Sequence, residues 1–388
     1  MTNDKPPKDE TVATHAGRMS AEHFGAINTP VYRASTILYR DFEEIQHGKP
    51  PYTYGRRGTP TSRSFEDAIT TLEGGARTLV CPSGLNAIAL AILSVCGAGD
   101  HLLMVDNCYE PARKLCDRTF KRLGIETTYY DPLIGARIVN LMKPNTKAVF
   151  CESPGSLTFE VQDIPAIAEA AHARGASVLM DNTWATPLLF KPFEHGVDLS
   201  IQAATKYVGG HADVMLGYVT ANERHAARLT EIHGNMGLYA SGDDCFLGLR
   251  GLRTMAVRLA RHGETALTLA RWLQTHPAVS SVFYPALEND PGHELWKRDF
   301  LGASGLFGVM LQPASEKSLP AFLDSLKLFG LGYSWGGYES LIVPAHITRT
   351  ARPFAAKGPL VRIHAGLEDV GDLLDDLKNG LAHYIAAQ

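Results

Sequence analysis

No stretch of this chain concentrates lysine and arginine. The 37 basic residues against 41 acidic ones leave a net charge of −4 and a pI near 6.4, so the basic face that a nucleic-acid partner requires is not expected. Cysteine is sparse and unpaired in pattern. Cys81, Cys96, Cys108, Cys116, Cys151 and Cys245 form no CxxC pair, which removes the usual sequence sign of a zinc or redox site and reads as reduced, mostly core side chains. No metal site is indicated. Met1 to Glu10 is polar with two prolines and lacks the apolar core of a secretory leader. The most apolar run, Leu85 to Val95, falls well short of the about 20 residues needed to cross a bilayer. A GxxxxGK[ST] loop is missing, so no P-loop is expected. Gly97-Ala98-Gly99 imitates the start of a dinucleotide fingerprint, but it follows a predicted helix, precedes a predicted strand, and has Leu102 where the third glycine belongs. These absences point to a cytoplasmic protein that acts on a small molecule, without nucleic-acid or membrane partners.

What is present is ordinary globular material, 388 residues with 45% hydrophobic and 20% charged, too long for one hydrophobic core. Residues 1–56 are polar and turn-rich, with Pro6, Pro7, Pro30, Pro50 and Pro51, and end in Tyr52-Thr53-Tyr54-Gly55-Arg56-Arg57-Gly58. Two readings stay open for them: an extended arm lying on a second subunit, or a loop with solvated arginines. Residues 57–248 begin with a helix over Thr61–Leu72, a strand over Thr78–Cys81, a Pro82-Ser83-Gly84 turn and a buried helix over Leu85–Val95. After the Leu102–Val105 strand, strands over 147–151, 177–180, 199–202 and 215–219 alternate with helical pattern such as 164–174, which predicts βαβ units and a mostly parallel sheet. Beyond residue 249 the pattern becomes a long helix over Leu249–Thr275, strands over 279–283 and 306–311, a helix over 319–325 and a last helix after Asp369. That is a smaller α+β domain.

Two apolar runs in the middle of the chain each end in a group that chemistry can use, Val178-Leu179-Met180-Asp181 and Leu199-Ser200-Ile201-Gln202 followed by Thr205-Lys206. Both ends fall on the carboxyl edge of a parallel sheet, where ligands bind in open α/β folds. A lone lysine there is usually a surface residue. A lysine used as a Schiff-base nucleophile needs partial desolvation and a carbonyl cofactor beside it. If that cofactor is pyridoxal 5'-phosphate, its ring nitrogen needs a carboxylate, which Asp181 supplies from the next strand. The phosphate needs donors. Ser83, Gly84 and Leu85 stand at a predicted helix start, Thr205 adds a hydroxyl, and Tyr54 and Arg56 add a hydroxyl and a guanidinium. Tyr109 lies just after a strand at the same edge and is either a ring-stacking residue or a half-buried loop tyrosine. Arg362 sits in the strand-like Leu360–His364 run, where a guanidinium is costly unless an anion such as a substrate carboxylate pairs it. The Tyr333-Ser334-Trp335-Gly336-Gly337-Tyr338-Glu339-Ser340 segment is either a substrate-facing loop or a structural one.

Taken together, Tyr54-Gly55-Arg56-Arg57-Gly58, Glu152-Ser153-Pro154-Gly155-Ser156, Met180-Asp181-Asn182-Thr183, Ala204-Thr205-Lys206-Tyr207 with Gly209-Gly210-His211, and the Tyr333–Leu341 segment resemble the Cys/Met-metabolism family of pyridoxal-phosphate enzymes. The resemblance runs from about Thr11 to the C-terminus and is greatest to the bacterial cystathionine β-lyases. It implies the type I PLP-transferase fold: a mostly parallel, seven-stranded-type sheet flanked by helices, a smaller C-terminal α+β domain and an extended N-terminal arm that contacts a neighbouring subunit. Further implied are Lys206 as covalent anchor and base, Asp181 on the ring nitrogen and Tyr109 stacked on the ring. Phosphate would rest on Gly84, Leu85 and Thr205, with Tyr54 and Arg56 reaching the site of a neighbouring subunit in a tetramer of two active dimers. Arg362 and Ser334, flanked by Tyr333 and Trp335, would hold the substrate carboxylate, and Lys206, Tyr109 or Tyr54 would supply the proton for the leaving sulfur. The implied reaction is β-elimination of L-cystathionine to homocysteine, pyruvate and ammonia, with cysteine or cystine as further substrates. The chain departs from many relatives at Ala203, where they carry serine, so the remaining donors must hold the phosphate. A γ-lyase or an O-acylhomoserine sulfhydrylase of the same family is the alternative, and a non-catalytic cofactor-binding regulator a distant one. The aromatic pair around Ser334 and the Tyr109-Glu110-Pro111 turn favour the β-lyase.

Overall fold

Short runs of aliphatic residues with no polar alternation can be satisfied only by a sheet covered on both faces. In the computed structural model, which describes residues 6–388, such runs form the centre of one seven-stranded sheet. Its strands are β1 (Arg77–Cys81), β2 (His101–Val105), β3 (Glu126–Tyr130), β4 (Thr146–Glu152), β5 (Ser177–Asp181), β6 (Leu199–Gln202) and β7 (Gly217–Ala221), ordered β1-β7-β6-β5-β4-β2-β3. β2 to β6 run parallel, while β7 is antiparallel to both of its neighbours. Every residue of β2, β5, β6 and β7 is buried. From their carboxyl ends β2 leads outward to β3, whereas β4 leads to β5 on its other side. The order of strands therefore reverses between β2 and β4, and a crevice opens at that point.

A second sheet follows, with β8 (Val279–Phe283), β9 (Leu306–Leu311), β10 (Gly330–Leu331), β11 (Leu341–Pro344) and β12 (Leu360–His364) ordered β10-β11-β12-β9-β8 and antiparallel except for the β10–β11 pair. Between β11 and β12 a strap of residues 345–359 crosses back to the first sheet. Asp106, buried just after β2, receives the backbone N–H groups of Thr350, Ala351 and Arg352 at 2.8 to 3.0 Å and the Arg113 guanidinium at 2.6 Å. Burial alone would raise the Asp106 pKa, but these donors outweigh it and hold the carboxyl below its ordinary value. Arg349 of the same strap pairs with Glu160 at 3.0 Å.

Two sequence expectations need correction. The helix expected over Leu249–Thr275 is two helices, Gly242–Leu252 and Met255–Thr275. The chain leaves helical geometry at Thr254, and the intervening Arg253 donates to the carbonyls of Ala13 and Ala16 in the N-terminal segment. The strand expected from Met215 begins instead at Gly217, because both backbone groups of Leu216 bond to Thr205. The edge strand β3 and the short helices Asp9–His15 and Phe42–His47 lack a periodicity long enough to detect in sequence.

Candidate active site

Three segments meet at the crevice, and each is placed by a local constraint. The first is the helix Gly84–Val95. Ser83 caps it by accepting the Asn86 N–H at 3.2 Å, which leaves the N–H groups of Gly84 and Leu85, the first two of the helix, aimed outward. A side chain at position 84 would stand 2.5 Å from the Ala203 Cβ, so only glycine lets this helix start lie against the turn that carries the lysine.

That turn is the second segment. It leaves β6 at Gln202 and is held by the Lys206 N–H to the Ala203 carbonyl at 3.0 Å and by Thr205 to Leu216. Lys206 then projects toward β5, where Asp181 ends its strand and accepts the Thr183 N–H at 3.0 Å. The third segment comes from the smaller sheet's region. Ser334 adopts a left-handed φ of 79°, a strained conformation for a serine. Its Oγ accepts from the Lys206 Nζ at 2.6 Å and its carbonyl accepts from Arg362 Nη2 at 3.0 Å. Trp335 lies with its ring centroid 5.2 Å from Nζ. Gly336 passes so close to the backbone of Lys206 and Tyr207 that a Cβ there would fall within 3.0 Å of it.

The result is a cavity of about 390 Å³ lined by Ser83, Gly84, Leu85, Tyr109, Asp181, Thr205, Lys206, Tyr333, Ser334, Trp335 and Arg362, all singled out from sequence. Tyr54 and Arg56 are not brought to it. Tyr54 is half-exposed, and Arg56 donates to the Gly234 carbonyl at 2.9 Å. The Thr205 hydroxyl, expected as a free donor, is already bonded to Leu216. Sequence reasoning did not pick out Glu152, Leu157, Phe159 or Thr183 as lining residues. Glu152 had a signal that could have found it, a charged residue closing a buried strand as Asp181 does.

Electrostatics separate the groups. Burial pulls the Lys206 amine down to about 8, with the Arg362 charge pushing the same way and Asp181 opposing. Burial likewise pulls Arg362 down to about 10. Burial pushes Asp181 up, opposed by Thr183 and Lys206. An amine titrating near 8 is far more often uncharged near neutral pH than an ordinary lysine and can attack an aldehyde. The rate at which the apo protein captures an aldehyde cofactor is therefore expected to climb through about pH 8 and level off above it. Stopped-flow absorbance across pH 6 to 10 checks this, and a flat profile would contradict the buried-amine assignment.

The residues fit pyridoxal 5'-phosphate. A helix start with free N–H groups suits a phosphate, a desolvated amine suits an aldehyde, and a buried carboxylate suits a pyridinium nitrogen. Among the described residues no group of three His, Cys, Asp or Glu side chains is arranged to hold a metal ion, and no helix is long and apolar enough to cross a membrane.

Comparison with known proteins agrees with this geometry. The family model for Cys/Met metabolism PLP-dependent enzymes matches residues 10–382. A putative cystathionine beta-lyase of Rhizobium johnstonii is 50% identical over 96% of this chain and 95% of its own length. The cystathionine beta-lyase of Escherichia coli is 44% identical over 97% and 99%. Among solved structures, a cystathionine gamma synthase from Xanthomonas oryzae pv. oryzae in complex with cystathionine superposes with a TM-score of 0.91 at 34% identity, covering 99% of this chain and all of that one.

Proposed function

The chain belongs to the Cys/Met metabolism PLP-dependent enzymes, and from that premise we propose that it is a carbon–sulfur lyase cleaving the Cβ–S bond of L-cystathionine to homocysteine, pyruvate and ammonia. The observation that carries the reaction type is one cavity holding a desolvated amine at Lys206, a buried carboxyl at Asp181 and a guanidinium at Arg362. The bond cleaved follows from the two relatives named cystathionine beta-lyase, each alike over nearly the whole chain.

When bound, the cofactor supplies an aldehyde that captures amines and a ring that withdraws electron density from the substrate Cα. The protein does the rest. The N–H groups of Gly84 and Leu85 hold the phosphate. Asp181 would pair with the ring nitrogen and keep its proton there, and Tyr109 would lie beside the ring. Arg362 binds the substrate carboxylate, which fixes the Cα–H bond toward Lys206. The Lys206 amine takes that proton and returns it to the leaving sulfur, a transfer worth roughly 10² to 10⁴ in rate. Ser334, bonded to Nζ at 2.6 Å, holds the amine between these two positions.

Assay of the products from cystathionine tests the bond assignment. Pyruvate with homocysteine is the expected result, while cysteine with 2-oxobutyrate would make the protein a γ-lyase.

The same reading assigns residues 1–56 as an arm, 57–248 as the cofactor domain and 249–388 as the smaller domain. It makes the protein a cytoplasmic homotetramer of two active dimers. Phe24, Ile27, Leu38, Phe42 and Ile45 expose apolar surface along the arm, more than a lone subunit ordinarily presents in one segment. Tyr54, together with the Arg56 nitrogens not bonded to the Gly234 carbonyl, would complete another. A light-scattering mass of four chains is expected, and a monomer mass would remove the arm's assignment.

A further inference from the structure

Glu152 has no part in the chemistry just described, yet it closes β4 at the strand-order reversal and lines the cavity. It is the register partner of Asp181 on the adjacent parallel strand, so both side chains leave the same face of the sheet. The two carboxyls, Asp181 buried and Glu152 half-buried at the cavity wall, are unequally supplied. Asp181 has the Thr183 N–H at 3.0 Å and lies near Lys206, whose charge favours its anion. Among the described residues the Glu152 side chain has a single donor, the Tyr109 N–H at 2.7 Å to Oε2. The nearest cation toward it, Arg349, is bonded through Nη2 to both Glu160 oxygens at 3.0 and 3.1 Å. The other titratable groups around Glu152 are the Tyr109 phenol and the Cys108 thiol, neither of which carries positive charge. Two carboxylates side by side at one cavity do not readily both ionise when only one has the donors to bear it.

We propose that Glu152 is a positioning residue that stands in the site as a neutral carboxylic acid, holding the Tyr109 backbone through Oε2 and leaving Asp181 as the one anion of the cavity. Burial, with Asp181 beside it, pushes the Glu152 pKa well above its ordinary 4.5, in agreement with this arrangement. The inference rests on the functional reading only for what Tyr109 and Asp181 do. The charge state of Glu152 stands apart from it.

The sign of the linkage gives the test. A carboxyl whose folded pKa is raised keeps its proton in the fold while the unfolded chain releases it above about pH 4.5. The fold is thus penalised progressively as pH rises. Glu152→Gln removes that penalty, because it is neutral in both states. Melting of the cofactor-free protein is therefore expected to favour E152Q over wild type by a margin that widens from pH 5 to pH 8, reaching a few degrees at pH 8. A gap of the same size at both pH values, or wild type the more stable at pH 8, would overturn the proposal. In the loaded protein E152Q keeps an oxygen acceptor for the Tyr109 N–H, so its visible spectrum and cofactor affinity match wild type. Glu152→Ala removes the acceptor and weakens cofactor affinity. Failure of E152Q to rescue the alanine variant would also overturn the proposal. If the chain were not a pyridoxal enzyme, only this loaded arm would fail, and the melting arm would still report the proton.

Discussion

Lys206→Ala is expected to abolish turnover and with it the visible absorption of a lysine-bound cofactor. The effect is larger than loss of a base, which alone costs roughly 10² to 10⁴ in rate, because in the proposed reaction the same Nζ is also the covalent anchor and no other amine among the cavity residues can replace it. The fold should survive. The turn is held by the Lys206 N–H to Ala203 and the Thr205–Leu216 bonds, none of which uses the side chain. Far-UV circular dichroism and a thermal melt would establish that the variant is folded, and a spectrophotometric titration with pyridoxal 5'-phosphate would read the band. A folded variant that kept both band and turnover would remove Lys206 from the chemistry.

The second large effect is expected at Arg362. It lies in the middle of β12, opposite Val343 and Gly308, and the one hydrogen bond it makes among the described residues goes to the Ser334 carbonyl. A buried guanidinium without an anion is expensive, and a substrate carboxylate answers that need with two parallel hydrogen bonds. Arg362→Ala should weaken substrate binding by about 2 to 5 kcal/mol, a loss in kcat/KM of roughly 30-fold to several thousand-fold. Most of it should appear in KM while the cofactor band is unchanged. A pH effect accompanies it. Arg362 is one of the causes depressing the Lys206 amine, so its removal should let that amine titrate above about 8 and move the acid limb of the rate profile to higher pH. Unchanged KM together with an unmoved limb would mean that the carboxylate sits elsewhere.

Much of this was legible in the sequence, for physical reasons. Asp181 and Lys206 stood out through their company, an amine and a carboxylate at the ends of two buried apolar runs with phosphate donors elsewhere in the chain. The Gly84–Val95 helix stood out because a serine cap before an alanine-rich stretch has a strong local signature. The mostly parallel sheet followed from the spacing of apolar runs, and its seven strands from the family resemblance, since β3 carries no such run. What stayed hidden depended on contacts distant in sequence. The break at Arg253–Thr254 cannot be seen without the N-terminal carbonyls that Arg253 reaches. The use of Thr205 by Leu216 cannot be seen without the turn that brings the two together. Glu152 was in view as part of a motif, but its meaning comes from the register that sets it beside Asp181.

The docking of the 345–359 strap on Asp106 has a consequence for anyone reshaping the enzyme. Tyr109 belongs to one sheet's edge and Arg362 to the other sheet, so the width of the cavity they line, the proposed substrate slot, is a distance between two bodies. Three consecutive strap N–H groups converge on one carboxylate, which makes the strap the gauge block that sets this width. Grafting a different loop between β11 and β12 to change substrate size would remove the spacer along with the wall. A successful graft must bring its own run of three convergent donors for Asp106.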